Sequence, residues 1–254
     1  MYRFPPKRTA LVLDETLEYL SAGAGAFTVV LVNGSGGPIE GWHKVFAPLA
    51  GFARVFAYNR AGIGGSTEPS YPQRGTHLVR SLRGALQAAG VEPPYVLVGH
   101  SFGGLIVNLF ARLHPNEVAA VVMVEATAPR DVAVLKTHAT GLQRLLQGAL
   151  RRLAPANPNA ETEQAAATVV ELESAPPFPP IPLTVVSGGK PAMRWATAQQ
   201  ALAARAKHQR ELAGLSPLGE QIIAAGSGHF PQFTEPQCVV DAIRATARRA
   251  GLQA

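Results

Sequence analysis

The chain predicts an α/β fold: a mostly parallel, doubly wound central sheet of about eight strands carrying a small helical lid insertion. Three observations carry this. Short β-rich runs alternate with helix-period segments along most of the 254 residues, the order that yields a parallel sheet covered on both faces. Apolar residues make up 47% of the chain, enough for a large core. One strand–turn–helix unit is unusually well marked: the β-rich run 95–98, then Gly99-His100-Ser101-Phe102-Gly103, then the apolar helical run 104–111.

The elements follow in order. Residues 10–13 and 16–20, separated by Asp14-Glu15, read as an opening antiparallel pair. A buried strand at 27–32 ends in Asn33-Gly34-Ser35-Gly36-Gly37-Pro38. A helix over about 41–49 and a strand at 53–58 come next. Residues 76–89 form an amphipathic helix with Leu78, Val79, Leu82 and Leu86 on one face. After the unit around Ser101, a strand is expected at 118–124, two more at 182–186 and 220–224, and helices at about 194–213 and 236–249. Residues 129–181 break the alternation, with helix-period segments and two Pro-rich joints. The expected organisation is a core of residues 1–128 and 182–254, with 129–181 as a helical lid over the strand ends.

Composition excludes several classes. The net charge of +6 comes from scattered arginines and lysines, Arg205 and Arg210 among them, which read as solvated helix faces. No concentrated basic stripe with interleaved aromatics appears, so no nucleic-acid partner is expected. The single cysteine, Cys238, excludes an internal disulfide and reads as a small apolar residue of the last helix. No stretch has the length and apolarity of a membrane span, and the basic start lacks the apolar segment of a secretory signal, so the expected location is cytoplasmic.

The turn at residues 99–103 carries the chemistry. Strand, G-x-S-x-G, helix is a nucleophile elbow, in which a tight turn holds a serine hydroxyl above the end of the sheet. A side chain at Gly99 or Gly103 would collide with the neighbouring backbone. A serine needs a base, and seven histidines compete. His100 sits inside the elbow, turned elsewhere; His114 stands at a helix end; His43, His77, His138 and His208 read as surface residues. His229 differs, because Gly226-Ser227-Gly228-His229-Phe230 directly follows the last expected strand and so reaches the same sheet edge as Ser101.

Together with Tyr58-Asn59-Arg60-Ala61-Gly62-Ile63-Gly64-Gly65-Ser66, these segments resemble the α/β-hydrolase fold family over nearly the whole chain. Two departures stand out: Asn33 and Asn59 occupy positions where many members carry histidine and aspartate. The resemblance implies a triad acid after the strand following the lid or after the strand following the elbow helix. The former position, Ser187-Gly188-Gly189-Lys190-Pro191, holds no carboxylate. The latter holds Glu125, a placement similar to the haloalkane dehalogenase branch, with Asp131 as the alternative. The order Ser101, Glu125, His229 suits this fold. The resemblance further implies an oxyanion hole from the backbone N–H groups of Phe102 and Ser35.

The expected activity is therefore that of a serine hydrolase, a carboxylic ester hydrolase of small to medium substrates working through an acyl-enzyme. No metal-ligand spacing and no phosphate-binding glycine motif implies a cofactor. Other activities of the fold remain open: carbon–carbon hydrolysis, a lyase, a perhydrolase, a peptidase, or a weakly catalytic ligand sensor. Dehalogenase and epoxide hydrolase chemistry is disfavoured, since those branches carry aspartate where Ser101 stands.

Overall fold

The computed structural model describes residues 4–132, 157–190 and 199–254. The chain opens with β1 (Arg8–Val12) and β2 (Glu15–Ala22), an antiparallel hairpin whose turn residues, Leu13 and Asp14, take positive φ. β3 (Thr28–Val32), β4 (Arg54–Tyr58), β5 (Tyr95–His100), β6 (Val118–Val124), β7 (Leu183–Gly188) and β8 (Gly219–Ala224) complete one sheet in the order β1-β2-β4-β3-β5-β6-β7-β8. The pairs β1–β2 and β2–β4 are antiparallel; every pair from β4–β3 to β7–β8 is parallel. All parallel strands therefore end at one edge.

Successive side chains of a strand point to opposite faces, and both faces here are apolar. Val30 and Val32 of β3 face one core, which also takes Leu97 of β5 and Val121 and Met123 of β6. Leu78, Leu82 and Leu86 of α2 (Gly75–Ala88) and Ile106, Leu109 and Phe110 of α3 (Gly103–Leu113) fill it. Val29, Leu31, Val96, Val98, Val122 and Val124 face the other core. That side is closed by Phe46 and Leu49 of α1 (Phe46–Ala50) and by Val239, Val240 and Ile243 from the C-terminal helix Pro236–Arg249.

Where one helix was expected over 41–49, the chain makes two pieces, a 3₁₀ turn at Ile39–Trp42 and then α1. Ile39 is held in place by its N–H donating to Asn59 Oδ1 at 2.8 Å, and Trp42 is buried. This tertiary anchor sets the chain direction, which sequence period alone does not reveal.

Within 129–181, α4 (Glu161–Glu173) lies against the helical layer of α2 and α3, with Leu172 in the core. Residues 133–156 of the expected lid, His138 among them, lie outside the described residues. α5 (Gln199–Ala213), the short α6 (Pro231–Thr234) and α7 (Pro236–Arg249) complete the described elements. No helix among the described residues is long and apolar enough to cross a membrane.

Candidate active site

The sharpest local feature is Ser101. Its φ is +49°, a left-handed conformation that side chains rarely adopt and that costs about 1–3 kcal/mol. The surroundings hold it there: its carbonyl accepts N–H bonds from Gly104 and Thr127, both at 2.9 Å. The turn is as tight as expected. A Cβ on Gly99 would come within 2.6 Å of the Gly103 carbonyl oxygen, and one on Gly103 within 2.2 Å of the Val32 carbonyl oxygen. Among the described residues, four non-glycine residues take positive φ; two make the β1–β2 turn, and the others are Ser101 and Glu125.

The structure brings Ser101, His229 and Glu125 into one line. His229 Nε2 lies 3.2 Å from Ser101 Oγ, and His229 Nδ1 lies 3.3 Å from Glu125 Oε2. β5 delivers Ser101, β6 delivers Glu125, and the loop after β8 delivers His229, all at the carboxyl edge of the sheet. Glu125 is buried, and its Oε1 accepts the Gly188 N–H at 2.7 Å. Burial alone would raise its carboxyl, but His229, the Arg205 charge and the Gly188 N–H outweigh this and hold it below the usual carboxylate range. A fixed carboxylate at Nδ1 selects the tautomer that leaves Nε2 facing the serine.

Arg205 was placed by sequence on a solvated helix face, and the structure corrects this. Its Nε and Nη2 donate to Glu125 Oε2 at 3.1 and 2.8 Å, and Nη2 also reaches the Glu125 carbonyl at 3.0 Å. The same Nη2 stands 3.3 Å from His229 Nδ1. No motif marks this residue; it is one of several cations on α5, and only the tertiary fold separates it from its neighbours. With Lys190 and Arg210 it lines a cavity of about 260 Å³ behind Glu125 and His229.

His208, expected at the surface, is buried and contacts Asp131 Oδ1 at 2.6 Å. Asp131 Oδ2 accepts the Ala128 N–H and lies 3.8 Å from Arg205, so Asp131 is engaged away from His229. His100 turns from Ser101 and meets the His229 carbonyl at 2.9 Å through Nε2. Burial pushes its imidazole down to about 4.

The loop after β3 approaches Ser101 from the other side. A Cβ on Gly34 would sit 3.1 Å from Ser101 Cβ. Its amides are mostly taken: Gly34 N–H donates to Asn33 Oδ1, Gly36 N–H to Glu161 Oε1 and Gly37 N–H to the Gly34 carbonyl. Among the described residues, no acceptor meets the N–H of Ser35 or of Phe102. Asn33 also donates through Nδ2 to the Pro38 carbonyl, so it shapes the loop from within. Asn59 braces the start of the next turn through Ile39 and Glu18. Among the described residues, no three His, Cys, Asp or Glu side chains converge as a metal site.

Comparison with known proteins agrees with this frame. The sequence profile of the alpha/beta hydrolase fold matches residues 28–167, more than half the chain. The protein belongs to the α/β-hydrolase fold family. A protein of Azorhizobium caulinodans provisionally named carbamate hydrolase RutD is 34% identical over 118 residues, 46% of this chain and 44% of that one. The chain spans less than half the length of the first curated relatives it matches. Solved structures are similar over nearly the full chain. The enol-lactonase of Burkholderia xenovorans superposes with a TM-score of 0.68 at 19% identity, covering 95% of this chain and 100% of that one. A thermophilic esterase of Thermogutta terrifontis gives 0.66 at 18%, covering 97% and 99%. At such identities the likeness speaks for the fold.

Proposed function

We propose that the protein is a serine hydrolase of carboxylic esters, with Ser101 as nucleophile, His229 as general base and acid, and Glu125 as the triad carboxylate. One observation carries the reading: the hydrogen-bonded line Ser101 Oγ, His229 Nε2, His229 Nδ1, Glu125 Oε2, built on two strained residues at adjacent strand ends. Strain of this kind persists where the surrounding fold over-determines it, and it clusters at working sites.

In this mechanism Ser101 Oγ attacks the ester carbonyl carbon as its proton passes to His229 Nε2. The carbonyl oxygen becomes an oxyanion received by the N–H groups of Phe102 and Ser35, each worth about 2.7–4 kcal/mol in the transition state. Collapse breaks the ester bond, and the proton on Nε2 leaves with the alcohol. Water, deprotonated by the same nitrogen, then attacks the acyl-serine, and Ser101 recovers its proton as the acid departs. Residues 129–181 act as a cap that selects the acyl or alcohol group. No step needs a cofactor.

Short-chain p-nitrophenyl esters test the reading. Turnover is expected, and Ser101→Ala is expected to abolish it. An inactive wild type, or activity that survives in Ser101→Ala, overturns the proposal; turnover confined to amides or carbon–carbon bonds moves the activity elsewhere in the fold family.

A further inference from the structure

Glu161 begins α4, a helix of the inserted segment, yet its carboxylate reaches into the loop beside Ser101. Its Oε1 accepts the Gly36 N–H at 2.8 Å. Arg60 closes the arrangement. Its Nη2 donates to Glu161 Oε1 at 2.9 Å and to the Gly34 carbonyl at 2.6 Å, and its Nη1 donates to the Asn33 carbonyl at 3.0 Å. Arg60 Nε completes a two-pronged pair with Glu161 Oε2. The side chains of Arg60 and Glu161 are only 1% and 8% exposed.

Burying two charges is expensive, and an apolar pair of similar size is often no worse for stability. Among the described residues, the hydrogen bonds that Arg60 and Glu161 make beyond each other go to one short stretch, residues 33–36. They occupy the carbonyls of Asn33 and Gly34 and the Gly36 amide. The Ser35 amide is thus flanked by fixed groups and is itself met by no acceptor among the described residues. A peptide unit pinned on both sides keeps its N–H in one direction, in a loop that at Gly34 closely approaches Ser101.

We infer that Glu161, clamped by Arg60, is a positioning residue that fixes the Ser35 N–H as an oxyanion donor, so the inserted segment completes the catalytic machinery. This rests on the ester-hydrolase reading above. Glu161 touches no reacting atom and acts through the loop. Losing its carboxylate therefore lowers kcat more than it raises KM, because the oxyanion exists in the transition state and not in the bound ester.

The test compares wild type, Glu161→Gln and the double variant Arg60→Met/Glu161→Met, which leaves no unpaired buried charge and keeps the test open if the single variant fails to fold. Active sites are titrated with a fluorophosphonate, so kcat refers to folded enzyme. A trifluoromethyl ketone, which forms a tetrahedral oxyanion on the serine, reports the donor directly. Both variants are expected to lose about 10²-fold in kcat, the cost of misplacing a catalytic group by about 1 Å, with KM within about threefold. Affinity for the ketone should fall in parallel with kcat/KM. A merely structural role would lower the titrated fraction and the melting temperature, but leave kcat per site and ketone affinity at wild-type values; that result overturns the inference alone. A wild type that neither turns over esters nor binds the ketone overturns the hydrolase reading and this inference with it.

Discussion

Two arginine–glutamate pairs flank Ser101, and they differ in almost every physical respect. Arg60–Glu161 is sealed, with side chains 1% and 8% exposed, and its spare donors and acceptors go to backbone. Arg205–Glu125 is open on one side: Arg205 is 28% exposed and faces both a cavity and His229. The sealed pair is suited to hold geometry, because water cannot substitute for either partner. The open pair is suited to set charge, because Arg205 shares Glu125 Oε2 with His229 rather than shaping a loop. In the proposed mechanism, fixed geometry at the oxyanion side and charge at the acid side are different requirements, met by the same two residue types at different depths.

The comparison breaks most readily at Glu125. Glu125→Gln is expected to lower kcat by about 10⁴-fold, as loss of a triad acid does, because the amide neither selects the tautomer nor stabilises the imidazolium. Asp131→Asn, whose carboxylate serves His208 and Ala128, should cost less than about tenfold. Steady-state kinetics on one ester decide it, and the reverse ranking would reassign the acid to Asp131.

Urea unfolding sharpens the contrast in depth. Glu161→Ala leaves the Arg60 charge buried and unpaired, so a loss of about 3–5 kcal/mol is expected. Arg205→Ala leaves Glu125 with His229 and the Gly188 N–H, and a loss of about 1 kcal/mol is expected. The pH dependence has a definite sign. Glu125 titrates below the ordinary carboxylate value of 4.5 in the fold, so its contribution is full above that value and is lost as pH falls through the folded one. The gap between wild type and Arg205→Ala should therefore be full at neutral pH and close in acid. Equal losses for the two variants would mean that exposure does not separate the pairs.

Much of this was legible in the sequence. β6 at Val118–Val124 and α7 at Pro236–Arg249 fall where apolar runs and the flanking proline put them. Ser101 and His229 could be singled out because the elbow and the loop after the last strand reach one edge of a parallel sheet, and Glu125 through the family resemblance; the structure brings the three side chains together. The two arginines could not. Arg60 sits in a recognisable motif but its partner is 101 residues away on an inserted helix. Arg205 stands on a helix that, by pattern, shows only scattered charge, and His208 reads as surface until that helix packs against Asp131, the alternative acid. Long-range polar pairing leaves no period in the chain, so only the fold reveals it.

The central claim is that Ser101 is an activated nucleophile. Treating the protein with a fluorophosphonate probe and mapping the adduct by peptide mass spectrometry tests it most directly. A single adduct on Ser101, absent from Ser101→Ala and strongly slowed in His229→Ala, is the predicted result. Labelling at another serine, or labelling of Ser101 at the same rate without His229, would contradict it.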